Sequence, residues 1–159
     1  VLYVSLHQHP FFPYTGDWMS TGDGTSLNVP LPAQTGDEGY MAVMERIVAP
    51  AVSRFGPDLI LCSVGYDAHW ADPLAWMLLS LSGYRRIAKI RVTLARDLCW
   101  GRLGHVLEGG YDYTVLAHGV ATTLCAMMDS DYPDELGPAS EPESDVGSLI
   151  TEIAGWHRL

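Results

Sequence analysis

Leu59-Ile60-Leu61-Cys62-Ser63-Val64 is a short apolar run that stops at Gly65-Tyr66-Asp67-Ala68-His69-Trp70-Ala71-Asp72-Pro73-Leu74. Without polar alternation, such a run reads as a strand buried on both faces, the kind found in parallel sheets. Val1 to Leu6, ending at His7-Gln8-His9, and His105 to Leu107, ending at Glu108-Gly109-Gly110-Tyr111-Asp112, read the same way. Helical patterns follow the strands. From Asp37 and Glu38, the spacing of Met41, Met44, Val48, Val52 and Phe55 predicts a helix that breaks or kinks at Pro50. A second helix takes Ser82 as its cap, carries Tyr84, Ile87, Ile90, Leu94 and Leu98 on one stripe and ends at Gly101. A third carries Leu116, Val120, Leu124 and Met127. Strands alternating with helices predict an α/β fold, a parallel sheet with flanking helices.

The rest of the chain is punctuation. Pro10 to Gly36 is rich in Gly, Pro and Thr and reads as a long ordered loop. Residues 129–145 hold Pro133, Pro138 and Pro142 among seven acids, with no Lys or Arg, and read as a solvated connection. It divides residues 1–128 from a short terminal helix within 146–159, whose Leu149, Ile150, Ile153 and Trp156 dock on the body.

At 159 residues and 48% hydrophobic, the chain can bury one substantial core. Its net charge of −10 comes mostly from the connection, since elsewhere twelve acids face nine bases. That balance does not describe a phosphate-binding surface, and no direct nucleic-acid binding is expected. Cys62, Cys99 and Cys125 form no C-x-x-C pair and read as reduced thiols. No apolar run approaches the roughly 18 residues of a membrane span, so no membrane partner is expected. Nothing directs export, and the expected location is cytoplasmic. The chain opens at Val1, inside a strand and without Met, as a truncated piece does.

Ligands of open parallel sheets bind outside the carboxyl ends of the strands, which puts the chemistry in the three segments that follow them. Asp67 and His69, two apart, suit a cation held by oxygen and nitrogen; equally, Asp67 can cap the next segment while His69 is a satisfied polar group. Gly109-Gly110-Tyr111 lets backbone approach a ligand and presents a phenol that can donate to a developing oxyanion; it also reads as a tight turn before a helix. There is no G-x-S-x-G elbow around Ser63 and no G-x-x-x-x-G-K-[ST] loop.

Val4-Ser5-Leu6-His7, Phe11-Phe12-Pro13-x-Thr15-Gly16 and Asn28-Val29-Pro30-Leu31-Pro32 resemble the histone deacetylase superfamily. Pro57-Asp58-Leu59-Ile60, Gly65-Tyr66-Asp67-Ala68-His69 with Asp72-Pro73-Leu74, and Leu107-Glu108-Gly109-Gly110-Tyr111-Asp112 continue the resemblance in the family's order, over roughly residues 1–128. Within the superfamily the chain resembles the bacterial deacetylases and acetylpolyamine amidohydrolases, close to the class II enzymes. The resemblance implies an arginase-like α/β fold and one zinc ion that activates water against an N-acetyl amide, on acetyl-lysine or an acetylpolyamine. It implies Asp67 as a zinc ligand and Tyr111 as the transition-state phenol. Phe12 would wall the substrate channel, Leu74 would stand at its rim, and Gly109 and Gly110 would lie beside the pocket. Ser5, through its hydroxyl, and Leu6, through its carbonyl, match a structural potassium site.

The family's histidine pair and Asp-x-His zinc motif lie upstream of the strand that opens this chain. Neither motif is present, and His69 is not a ligand in the family pattern. A catalytic zinc takes three protein ligands and a water. The expectation is therefore the carboxyl-terminal part of a deacetylase domain, inactive by itself, whose partner is the missing amino-terminal part. The alternative is a non-catalytic remnant that binds a partner through exposed core surface.

Overall fold

The computed structural model describes residues 1–159. Its strands are β1 (Tyr3–Gln8), β2 (Ser26–Leu31), β3 (Ile60–Val64) and β4 (Leu103–Leu107). They form two parallel pairs: β1 runs beside β2, from Tyr3↔Ser26 to Gln8↔Leu31, and β3 beside β4, from Ile60↔Leu103 to Val64↔Leu107. β2 lies within the stretch expected to be loop. Its alternating Leu27, Val29 and Leu31 are buried, but Pro30 and the surrounding turn residues mask a strand that lies at the edge of its pair.

Helix α1 (Asp37–Val43) runs through a π-helical turn (Met44–Val48) into α2 (Ala49–Phe55). The chain does not break at Pro50, because the wider turn before it gives room where the proline ring would meet a carbonyl. Helix α3 (Leu81–Cys99) is capped by Ser80, whose hydroxyl accepts from Gly83 N, rather than by Ser82. Leu81, the residue before Ser82, already lies in the helix and is fully buried. Helix α4 (Tyr113–Met127) buries Val115, Gly119, Thr122, Thr123 and Ala126. Leu116 and Val120 pack against the core, but Leu124 and Met127 are exposed. A Cβ at Gly119 would run into the Tyr66 ring, so the face that packs is the one with small residues.

Helix α5 (Gly147–His157) docks through Ile150 and Ile153, both fully buried. Each contributes roughly 1.5–3 kcal/mol of apolar burial. Trp156 stays half exposed, its ring edge-on to Trp18 at 5.6 Å. The acidic connection is mostly on the surface but is tied down by its carboxylates. Glu143 accepts from the backbone N–H groups of Gly36, Glu38 and Gly39 at the start of α1, and Asp134 from Ser82 at the start of α3. Arg85 pairs with Asp131. No helix is long and apolar enough to cross a membrane.

The core lies between β2, α1–α2 and α5, with Tyr66 and Tyr84 at its other end. The strands are not buried on both faces as expected: Leu61 is 67% exposed, and Val106 and Leu107 are also exposed. For Leu61 the reason is topological. β1 and β3 do not pair, and a cleft of about 930 Å³ separates them, walled by residues 1–6 and 57–63 and floored by Met44, Val48 and Val52.

Candidate active site

Past Val64 the two strands of the second pair stay joined by Glu108 N donating to Val64 O (3.0 Å) and Tyr66 N to Gly109 O (2.9 Å). The Tyr84 hydroxyl fixes the turn from the helical side by donating to Gly65 O at 3.0 Å. Into this turn Asp67 places its carboxylate. A Cβ at Gly109 would stand 2.7 Å from Asp67 Oδ2, and one at Gly65 would collide with Oδ1. The two glycines therefore make the seat. Burial pushes the Asp67 carboxyl above the usual carboxylate range, its own backbone N–H opposes that shift, and the Asp72 charge adds to it. A partly desolvated carboxylate is suited to a cation.

Asp67 supplies one donor only. No group of three or more His, Cys, Asp or Glu side chains is gathered in a way that could hold a metal ion. The residues of this chain alone thus do not fit a catalytic zinc, which takes three protein ligands. His69 does not make up the number. It is fully buried, its Nδ1 accepts from Ala71 N at 3.1 Å, and its ring tilts against Trp70. Burial holds the imidazole below its ordinary value, although Asp134, Asp112, Asp37 and Asp72 pull the other way. His69 is a packed neutral side chain with its proton on Nε2.

Ser5 and Leu6 lie on β1, on the opposite wall of the cleft. The Ser5 hydroxyl bonds to His7 Nδ1 at 2.9 Å, while His7 Nε2 reaches Gly16 O at 3.1 Å. A carbonyl only accepts, so the proton is on Nε2, and Ser5 is the donor to Nδ1. Burial lowers the His7 pKa, which keeps this neutral form in place.

Tyr111 sits on the loop from β4 to α4, 55% exposed, with Gly110 (φ 130°) before it and the cap of α4 after it. Asp112 closes that cap by accepting from Val115 N at 2.9 Å. The backbone N–H of Tyr111 donates to Asp72 Oδ2 at 2.8 Å. Phe12 and Leu74 stand exposed on the loops after β1 and β3. Gln8 links those two ends, its Oε1 accepting from Trp76 N at 2.9 Å.

The cleft therefore brings together Asp67, Ser5, Leu6 and Gly109, whereas Phe12, Leu74, Gly110 and Tyr111 stand outside its walls. The sequence alone assigns no role to Gly65 or Asp72. Asp-Pro after a strand signals a turn at Asp72, but nothing local points to its partner Tyr111, 39 residues on.

Residues 1–127 match the family described as Histone deacetylase domain. The chain belongs to that family. Among relatives of this histone deacetylase family member is a "Probable deacetylase" of Archaeoglobus fulgidus, 38% identical over 155 residues, 94% of this chain and 42% of the relative. Histone deacetylase 14, chloroplastic, of Arabidopsis thaliana is 40% identical over 82% of this chain and 32% of its own length. The histone deacetylase-like amidohydrolase of Pseudomonas aeruginosa is 43% identical over 70% of this chain and 30% of its own length. The crystal structure of the HDA15 HD domain superposes with a TM-score of 0.81 and 28% identity, covering 98% of this chain and 44% of that one. The chain thus spans less than half the length of each of these proteins, and its α/β fold is that of a histone deacetylase domain.

Proposed function

We propose that this chain is the carboxyl-terminal half of a zinc-dependent deacetylase domain that removes acetyl groups from acetyl-lysine or acetylpolyamine substrates. The observation that carries the reading is the seat of Asp67: a desolvated carboxylate held between Gly65 and Gly109, the latter two residues before Tyr111, whose phenol is exposed. In the complete domain a bound zinc would supply an activated water, with Asp67 as one of its ligands and the others from the upstream half. The Tyr111 hydroxyl donates to the acetyl carbonyl oxygen, a bond that strengthens as that oxygen gains charge. Water adds to the carbonyl carbon, the C–N bond breaks, and acetate and a protonated amine leave. Phe12 and Leu74 line the approach, and Ser5 and Leu6 offer oxygens to a structural potassium.

The upstream half is seated, in this reading, in the cleft between β1 and β3. Both bordering strands lack a ladder partner there, both run in parallel pairs, and Leu61 is left exposed beside them. An unpaired edge is a template for another strand. One strand in that place would join the two pairs and bring its own residues against Asp67. The same exposed surface favours the second reading, a non-catalytic module that binds a partner there.

Turnover of an acetyl-lysine peptide and of an acetylpolyamine, with zinc analysis, by the chain extended through the upstream half tests the two. Deacetylation that Asp67→Ala abolishes together with zinc supports the enzyme. An extended protein that binds zinc yet hydrolyses no N-acetyl substrate contradicts it.

A further inference from the structure

We infer that Asp72 is a positioning residue for Tyr111, a carboxylate whose function is to hold the backbone of the phenol-bearing loop. The inference rests on the reading that the Tyr111 hydroxyl acts on the acetyl carbonyl. Asp72 is 6% exposed and makes no ion pair with Lys, Arg or His. A buried carboxylate without a counter-charge is costly unless hydrogen bonds satisfy it. Its partners are backbone N–H groups from two loops. Oδ1 accepts from Leu74 N at 2.9 Å, which closes the local Asp-x-x turn. Oδ2 accepts from Tyr111 N at 2.8 Å and, more weakly, from Asp112 N at 3.4 Å.

The first contact would satisfy a residue that only shapes its own turn. The second oxygen goes further, crossing from the loop after β3 to the loop after β4. Bonds to an ionised acceptor are shorter and stronger than neutral ones, and these N–H groups lie where α4 begins, which favours negative charge. Tyr111 needs such an anchor. Its ring is more than half exposed and its hydroxyl bonds to nothing in the fold, while Gly110 before it has the freest backbone of any residue type. The direction of the phenol is therefore set through its own backbone, and Asp72 ties that backbone to the turn that carries Asp67.

The test is a double-mutant cycle in the full-length protein, using Asp72→Ala and Asp72→Asn, each with Tyr111 and with Tyr111→Phe. Turnover of an acetyl-lysine peptide, KM and zinc content are measured on every sample. Misplacing a catalytic group by about 1 Å costs on the order of 10²-fold. Asp72→Ala is expected to lower kcat by about that factor, with KM and zinc little changed, and to add almost nothing once the hydroxyl is gone. Asn keeps the shape but has one oxygen to divide between the two loops, so its loss is smaller and likewise vanishes in the Phe background. It carries the test if the Ala protein does not fold. Amide hydrogen exchange at Tyr111 is expected to quicken in Asp72→Asn, a readout independent of catalysis. Equal losses in both backgrounds, loss of zinc with Asp72, or unchanged kcat in Asp72→Asn would overturn the inference while leaving Tyr111 in its role. If Tyr111→Phe alone leaves turnover unaltered, the underlying reading fails and this one with it.

Discussion

At Gly109 the absence of a side chain is what admits a carboxylate. A Cβ there would meet both oxygens and the carboxyl carbon of Asp67 within 2.8 Å. Gly109→Ala in the full-length protein is therefore expected to push the carboxylate from its seat, lowering zinc content and turnover together, at a cost of about 1–3 kcal/mol in stability for the overpacking. Zinc retained at the parent level would show that the seat is not what holds the ligand. Tyr111→Phe separates the two functions. The ring and its surroundings are kept and the proposed metal ligand is untouched, so turnover should fall about 10²- to 10³-fold with zinc unchanged. Steady-state kinetics beside zinc analysis on the same samples decides it.

The capping of α1 shows what an element gains from residues distant in sequence. Glu143 accepts three backbone N–H bonds at a helix start that has no side-chain cap of its own. Glu143→Ala should cost about 1–2 kcal/mol, read as a lower urea midpoint with an unchanged slope, and Glu143→Gln less than that. The acids of residues 129–145 were legible as a charged connection, but not as caps, because their partners are as far as 107 residues away. The same limit applies to the start of α3: nothing local favours Ser80 over Ser82 as the cap, and the Ser80 hydroxyl is held by Asp37, 43 residues earlier. Apolar runs marked β1, β3 and β4 because the central part of a strand announces itself by composition. β2 escaped because Pro30 and Asn28 interrupt its apolar positions, and Asn28 is committed to the loop, donating to Ser20 O at 2.9 Å. For the site, ordered motifs singled out Asp67 and Tyr111 as candidates. The bond from Asp72 to Tyr111 joins two loops and leaves no local pattern.

Over the whole molecule, the fold is two parallel pairs of strands with a cleft where a continuous sheet would have a neighbour for each. Burial also fixes how the chain responds to acid. The imidazoles of His105 and His157 are held below their ordinary value first by burial and then by Arg91 and Arg54 respectively. Because their folded values lie below the unfolded one, near 6.5, their contribution is fully present above that pH. It is lost as pH falls toward the folded values, when the unfolded chain takes up protons that the native state resists. Urea midpoints should decline as pH drops from about 7.5 to 5.5, and His105→Phe should flatten part of that decline; an unchanged slope would show that this imidazole is free to charge in the folded state. The cleft bears on the central claim, that this half of a deacetylase domain holds one zinc ligand and its complement holds the others. Zinc per chain after dialysis, measured for the 159-residue chain, for the chain extended through the upstream half, and for that extended chain with Asp67→Ala, tests it most directly. The account predicts little zinc in the first, one ion per chain in the second and loss of it in the third. One ion per chain in the 159-residue protein, or an extended protein that keeps its zinc without Asp67, would contradict it.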